Sequence, residues 1–167
     1  MKAIFYLLMV ASSVPLIATA LASEKQIVGW SEKARIFPGG FVLSAKLDTG
    51  ADHSSLDVQD FNVFQREGEE WARFTVIDDN DKQHKLEKKL VRLAKIKRHS
   101  AVRHERPVVL LGICVGAFYR EVEVNLVDRS KFKYPLLVGR SFLSDALIVD
   151  PSKTYSVEPD CPGAPVE

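Results

Sequence analysis

In the stretch Ala45-Lys46-Leu47-Asp48-Thr49-Gly50-Ala51-Asp52 an apolar segment runs straight into an acidic turn. If the turn is catalytic, each residue type in it has a role. A strand end would hold the Asp48 carboxylate on a rigid support, where general acid–base chemistry needs it. The Thr49 hydroxyl would lock the turn. Gly50 would let the backbone come close enough to donate an N–H to the carboxylate. Ala51 would leave the approach open. Alone the tripeptide is a weak signal, because an Asp-x-Gly turn after a strand is common. A second element strengthens it: Leu136-Leu137-Val138-Gly139-Arg140 reads as a buried strand that ends tightly at Gly139, followed by a fixed positive charge.

The elements around these residues read mostly as short strands. Ile27–Trp30, Phe41–Leu47, Phe61–Gln65, Trp71–Ile77, Val108–Val115, Val122–Leu126, Leu136–Val138 and Leu147–Val149 are apolar or alternating runs. Pro38-Gly39-Gly40, Asp78-Asp79-Asn80-Asp81 and Asp128-Arg129-Ser130-Lys131 separate them as turns. The acidic turn at 78–81 lacks the glycine and spacing of a calcium loop. A helical turn is expected over Ser141–Ala146. Leu86, Leu90 and Leu93 fit a basic amphipathic helix by period, but the surrounding pattern favours strands. The class is all-β with one short helix, in one domain over 23–158 and with a loose tail over 159–167.

Composition narrows the function. The chain has 167 residues, 23 Lys+Arg against 22 Asp+Glu, 46% hydrophobic and 27% charged residues. That is ordinary for a globular domain. The balanced charge argues against nucleic acid as a partner. Met1–Ala22 reads as a secretory signal, with Lys2 before an apolar run and small residues at Ala18, Ala20 and Ala22. Cutting after Ala22 would give a periplasmic or secreted chain; the other reading is an uncut membrane anchor. After export, Cys114 and Cys161 would either pair or remain as a buried thiol and a free tail thiol.

The two motifs resemble those of retropepsin-like aspartic peptidases, whose Asp-Thr-Gly-Ala carries the catalytic carboxylate and whose apolar-apolar-Gly segment buttresses the loop. The resemblance implies a closed β-barrel and pairing of Asp52 with Arg140. Val28-Gly29-Trp30, Ala45–Leu56, Arg106-Pro107-Val108-Val109 and Asp128–Leu143 are similar to a bacterial family in this group labelled "ATP-dependent zinc protease". The family's genes are associated with ATP-grasp enzymes that ligate glutamate, which implies an acidic peptide substrate or a shared pathway with a glutamate ligase. The label finds little in the residues. There is no His-Glu-x-x-His, His53, His84, His99 and His104 show no recognised zinc spacing, and no Gly-rich phosphate loop appears. No cofactor and no metal are expected.

An aspartic peptidase needs two carboxylates sharing one proton, one as base on water and one polarising the scissile carbonyl. One Asp-Thr-Gly per chain therefore implies a homodimer with Asp48 from each copy on the two-fold axis. Catalysis is assigned to Asp48, Thr49 and Gly50, and loop support to Ala51, Asp52, Gly139 and Arg140. Lys46, two residues before Asp48, either shares its face and receives an acidic substrate or turns out to solvent. Lys82–Arg106 holds ten Lys/Arg against Glu87 and Glu105 and reads as a basic rim or a solvated face. The competing readings are a non-catalytic peptide- or envelope-binding barrel and a zinc-dependent peptidase.

Overall fold

A computed structural model describes residues 24–96 and 104–165. Residues 1–22, expected as a secretory signal, and His99 lie outside the described residues. Ten strands and one short helix follow in order: β1 (Gln26–Phe37), β2 (Phe41–Leu47), β3 (Ser54–Asp57), β4 (Gln59–Arg66), β5 (Glu69–Ile77), β6 (Gln83–Ile96), β7 (His104–Val115), β8 (Phe118–Val127), β9 (Leu136–Val138), α1 (Arg140–Leu143) and β10 (Leu147–Thr154).

The strands form one sheet in the order β10-β1-β2-β9-β3-β8-β7-β6-β5-β4, and β1 also pairs with β7. That extra pairing closes β1, β2, β9, β3, β8 and β7 into a six-stranded barrel, so the all-β closed-barrel expectation holds. β10 adds to β1 in parallel, and β6, β5 and β4 continue outward from β7 as an antiparallel extension.

Alternation fills the barrel. In β2, Phe41, Leu43, Ala45 and Leu47 are buried while the residues between them are half-exposed. In β8, Val122, Val124 and Leu126 point inward. Ile36, Leu56, Leu111, Ile113, Leu136 and Phe142 complete a core that sees almost no solvent. The β1–β2 turn needs left-handed backbone at Gly39 (φ 106°) and Gly40 (φ 55°), which glycine supplies without penalty. The short helix covers Arg140–Leu143, starting one residue earlier and ending three earlier than the helical turn expected over Ser141–Ala146.

The helix-like period of 86–93 resolves as strand. A spacing of four keeps Leu86 and Leu90 on one face of a strand as well as of a helix, and both are buried in β6. Leu93, an odd number of residues beyond Leu90, falls on the other side of the strand and is exposed. Two cations of the expected basic rim find acidic partners outside it, and the rim's Glu87 is drawn to two outside arginines. Glu87 pairs with Arg66 and Arg73, Lys89 with Glu69, and Arg92 with Glu123.

The C-terminal segment is fastened to the barrel. Cys114 and Cys161 form a disulfide across a sequence separation of 47 residues, and Asp160 N–H donates to Gly116 O at 2.9 Å. The fully buried Glu32 carboxylate adds a second fastening by accepting Gly29 N–H, Ser156 N–H and O–H, and Val157 N–H.

Candidate active site

Asp48 stands one residue past the end of β2. β2 runs parallel to β9 with Lys46 opposite Leu137 and Leu47 opposite Val138. Asp48 N–H extends this ladder by donating to Val138 O at 2.8 Å, so the residue inherits the position of two strands. The chain then turns, with Ala51 N–H donating to Asp48 O at 3.2 Å and Gly50 N–H to the Asp48 carboxylate (Oδ1) at 2.9 Å. A Cβ on Gly50 would lie 3.2 Å from that same oxygen, which is why a residue without a side chain donates best there.

The turn rests on the segment that follows β9. Arg140 N–H donates to Ala51 O and Ser141 N–H to Asp52 O, both at 2.9 Å. Gly139 lies against the turn so closely that a Cβ would sit 2.7 Å from His53 C and O and 3.0 Å from Asp52 C. Its N–H donates to Ser54 Oγ at 3.2 Å. The Arg140 guanidinium ion-pairs with Asp52 and donates to Thr49 O at 2.9 Å. The Asp52 side chain is 74% exposed, so that ion pair contributes little, and the backbone bonds and the Gly139 contact carry the support. Thr49 is exposed, and its carbonyl makes the described contact where sequence reasoning had invoked its hydroxyl.

Lys46 shares the face of Asp48. Its Nζ lies 3.2 Å from Asp48 Oδ2, with the two side chains 43% and 27% exposed. The Asp48 carboxyl is pushed up by burial, but the Gly50 N–H, the Lys46 hydrogen bond and charge, and the Ala51 N–H together hold it below the usual carboxylate range. Among the described residues, none of the influences on its charge is a second carboxylate.

Sequence reasoning missed Arg129. It follows β8 and is 9% exposed. Its Nε donates to Tyr134 O at 3.1 Å and its Nη1 to Ser55 Oγ at 3.0 Å, while its own N–H donates to the Asp57 carboxylate. Burial and then the nearby Arg106 charge pull its guanidinium below the usual range, and Asp57 and Asp48 oppose them, so Arg129 lies within electrostatic reach of Asp48. The available signal was its place in the block Asp128–Leu143. Among the described residues no three His, Cys, Asp or Glu side chains gather as a metal would require, and His84 is committed to Asp78 and to stacking on Phe41. These residues do not fit a zinc ion.

A closed six-stranded barrel that presents one Asp-Thr-Gly turn, wedged by a glycine from a distant strand, defines a retropepsin-like protein. The chain belongs to the RimB-like family, described as "Retropepsin-like aspartic endopeptidase RimB", whose family model matches residues 27–160. A crystal structure of a protein of unknown function from Legionella pneumophila is similar at 37% identity and a TM-score of 0.69, covering 81% of this chain and 100% of that one. Two curated relatives carry the name "Probable alpha-L-glutamate ligase". The protein from Shewanella pealeana is 31% identical over 140 residues (81% of this chain, 30% of the relative), and that from Desulfotalea psychrophila is 30% identical over 133 residues (77% and 28%). The match thus spans under a third of these relatives' own length.

Proposed function

We propose that the chain is an aspartic endopeptidase that hydrolyses peptide bonds through two Asp48 carboxylates, one from each copy of a homodimer. The observation that carries this reading is the Asp48 turn. A partly exposed carboxylate at a strand end accepts a fixed backbone N–H, and the side chain that ion-pairs with it, Lys46, is cationic. One carboxylate with no acidic neighbour cannot serve at once as base and as acid, so a second copy supplies the other. The ionised Asp48 then takes a proton from water as the water oxygen attacks the scissile carbonyl. The protonated Asp48 of the second copy donates to the carbonyl oxygen, and the proton held by the base passes to the leaving amine. Ala51, Asp52, Gly139 and Arg140 hold the turn rigid for this exchange.

The acidic-substrate expectation gains support from Lys46 beside the carboxylate and from relatives that carry a glutamate-ligase name. A peptide rich in glutamate would find the Lys46 ammonium beside Asp48 and the Arg129 guanidinium across β9. An exported location agrees with the signal-like residues 1–22 and with a Cys114–Cys161 bridge, which persists best outside the reducing cytosol. The test is Asp48→Asn measured beside the wild type on acidic peptides. Cleavage should fall by about 10²–10⁴-fold or more with the melting curve preserved. Sedimentation should give a dimer under the assay conditions. A wild type that sediments as a monomer at full activity overturns the dyad, and one that cuts no peptide from acidic to neutral pH leaves a binding module.

A further inference from the structure

A guanidinium has five N–H donors and a charge that burial penalises unless an acid or several acceptors answer it. Arg129 is buried to nine-tenths of its surface, yet among the described residues no carboxylate comes within ion-pair distance of its guanidinium. Its described hydrogen bonds go to two neutral acceptors, Tyr134 O and Ser55 Oγ, through Nε and Nη1, and none of them uses Nη2. Asp57 is the acid closest along the chain contact, but its carboxylate receives the Arg129 backbone N–H. The Phe132 ring lies 4.8 Å from the guanidinium carbon and is itself 63% exposed. Arg106 adds a like charge in the same field. The fold thus holds a fixed cation without an ion-paired acid, fastened on one edge by β3 through Ser55 and on another by the segment entering β9 through Tyr134. Ser55 and Lys46 pair with the same Leu137 from opposite sides of β9, which places this cation across β9 from the Lys46–Asp48 pair.

A salt bridge placed for stability would bring its own acid. This arrangement leaves that place to a ligand, and a carboxylate matches the planar fork of arginine by accepting two parallel N–H bonds. We propose that Arg129 is the specificity-determining residue that receives a carboxylate of the substrate beside Asp48, an inference that rests on the reading of this site as acting on acidic peptides. Lys46 adds charge beside Asp48 but does not duplicate the role, because an ammonium is a point charge without the planar fork of a guanidinium.

The experiment uses the full chain carrying Asp48→Asn, so that peptides bind without being cut, and measures the affinity of tri-glutamate and of tri-glutamine by calorimetry. Tri-glutamate should bind at least about tenfold more tightly. Arg129→Gln should bring the two affinities together, and Arg129→Lys should keep part of the preference because it keeps the charge without the fork. Equal binding of the two peptides, no binding of either, or an undiminished preference in Arg129→Gln overturns the proposal. Should Arg129→Gln fail to fold, the Arg129 Nε–H resonance in the Asp48→Asn chain decides. A shift on adding tri-glutamate that tri-glutamine does not produce supports the proposal, and an unmoved resonance refutes it. The readout is binding alone, so a chain that prefers tri-glutamate through Arg129 but never cleaves it would refute the peptidase reading and leave this carboxylate site standing.

Discussion

Replacing Lys46 by methionine removes one charge from beside Asp48 and keeps most of the side-chain volume. At the observed Nζ–Oδ2 separation of 3.2 Å the Coulomb attraction is about 1.3 kcal/mol in bulk water and about 5 kcal/mol at an effective dielectric constant of 20. With side chains 43% and 27% exposed, solvent screens the pair toward the lower figure. Surface pairs of this kind contribute roughly 0.2–1 kcal/mol. Burial and the Gly50 and Ala51 N–H groups are unchanged by the substitution, so Asp48 should titrate higher by a fraction of a pH unit. The sign for stability follows. A carboxyl held low in the folded state stabilises the fold above its unfolded pKa, and that contribution is lost as pH falls through the folded value. In Lys46→Met the contribution is smaller and its loss is complete at a higher pH, and stability at neutral pH drops by at most about 1 kcal/mol. For catalysis by a proton-sharing pair, the shared proton leaves at higher pH without the ammonium, so the alkaline limb of the kcat/KM profile moves upward. The assays are a carbon-13 titration of the Asp48 carboxyl and the pH profile on a neutral peptide. An Asp48 midpoint that stays put or falls in Lys46→Met would refute the reasoning, since the backbone N–H groups alone would then account for the low carboxyl.

Three further outcomes are expected. Gly139→Ala drives a methyl into His53 backbone at 2.7 Å, so the fold should lose about 1–3 kcal/mol by thermal melting and cleavage should fall more steeply than stability does. Cys161→Ser opens a loop of 47 residues, with a loss on the order of 4 kcal/mol if chain entropy governs; equal melting temperatures of oxidised and reduced wild type would contradict it. Glu32→Gln turns half of a buried acceptor into a donor facing the N–H groups of Ser156 and Val157, and should cost about 1–3 kcal/mol and speed amide exchange in 155–157, as hydrogen-exchange mass spectrometry would register.

Local rules made the Asp48 turn legible. A strand that runs into Asp-Thr-Gly and a second strand that stops at glycine both appear as short patterns, and Asp48, Gly50, Gly139 and Arg140 meet where those patterns imply. The alternation of β2 and β8 was equally readable, because a half-buried strand repeats every two residues. Leu86, Leu90 and Leu93 were ambiguous for a physical reason: a spacing of four serves both periods, and the odd step from Leu90 to Leu93 fits the helical one. The disulfide needed three-dimensional proximity between β7 and the tail, which spacing does not encode. Arg129 was obscured most fully. In sequence it sits in a polar turn, and only the folded chain brings its guanidinium under Phe132, against Ser55 and into the field of Asp48.

β9 has three residues, yet it lies between β2 and β3 and ends at the glycine that wedges the Asp48 turn. Its brevity makes the protein unequally sensitive to changes of length. Extra residues placed among 130–133 lengthen an exposed connection and leave the β2–β9 alignment alone. A single residue inserted within 136–138 would exchange the inward and outward faces of Leu136 and Leu137 and carry Arg140 off Thr49 and Ala51. A scan of one-residue insertions along 126–142 should therefore show tolerance confined to 130–133.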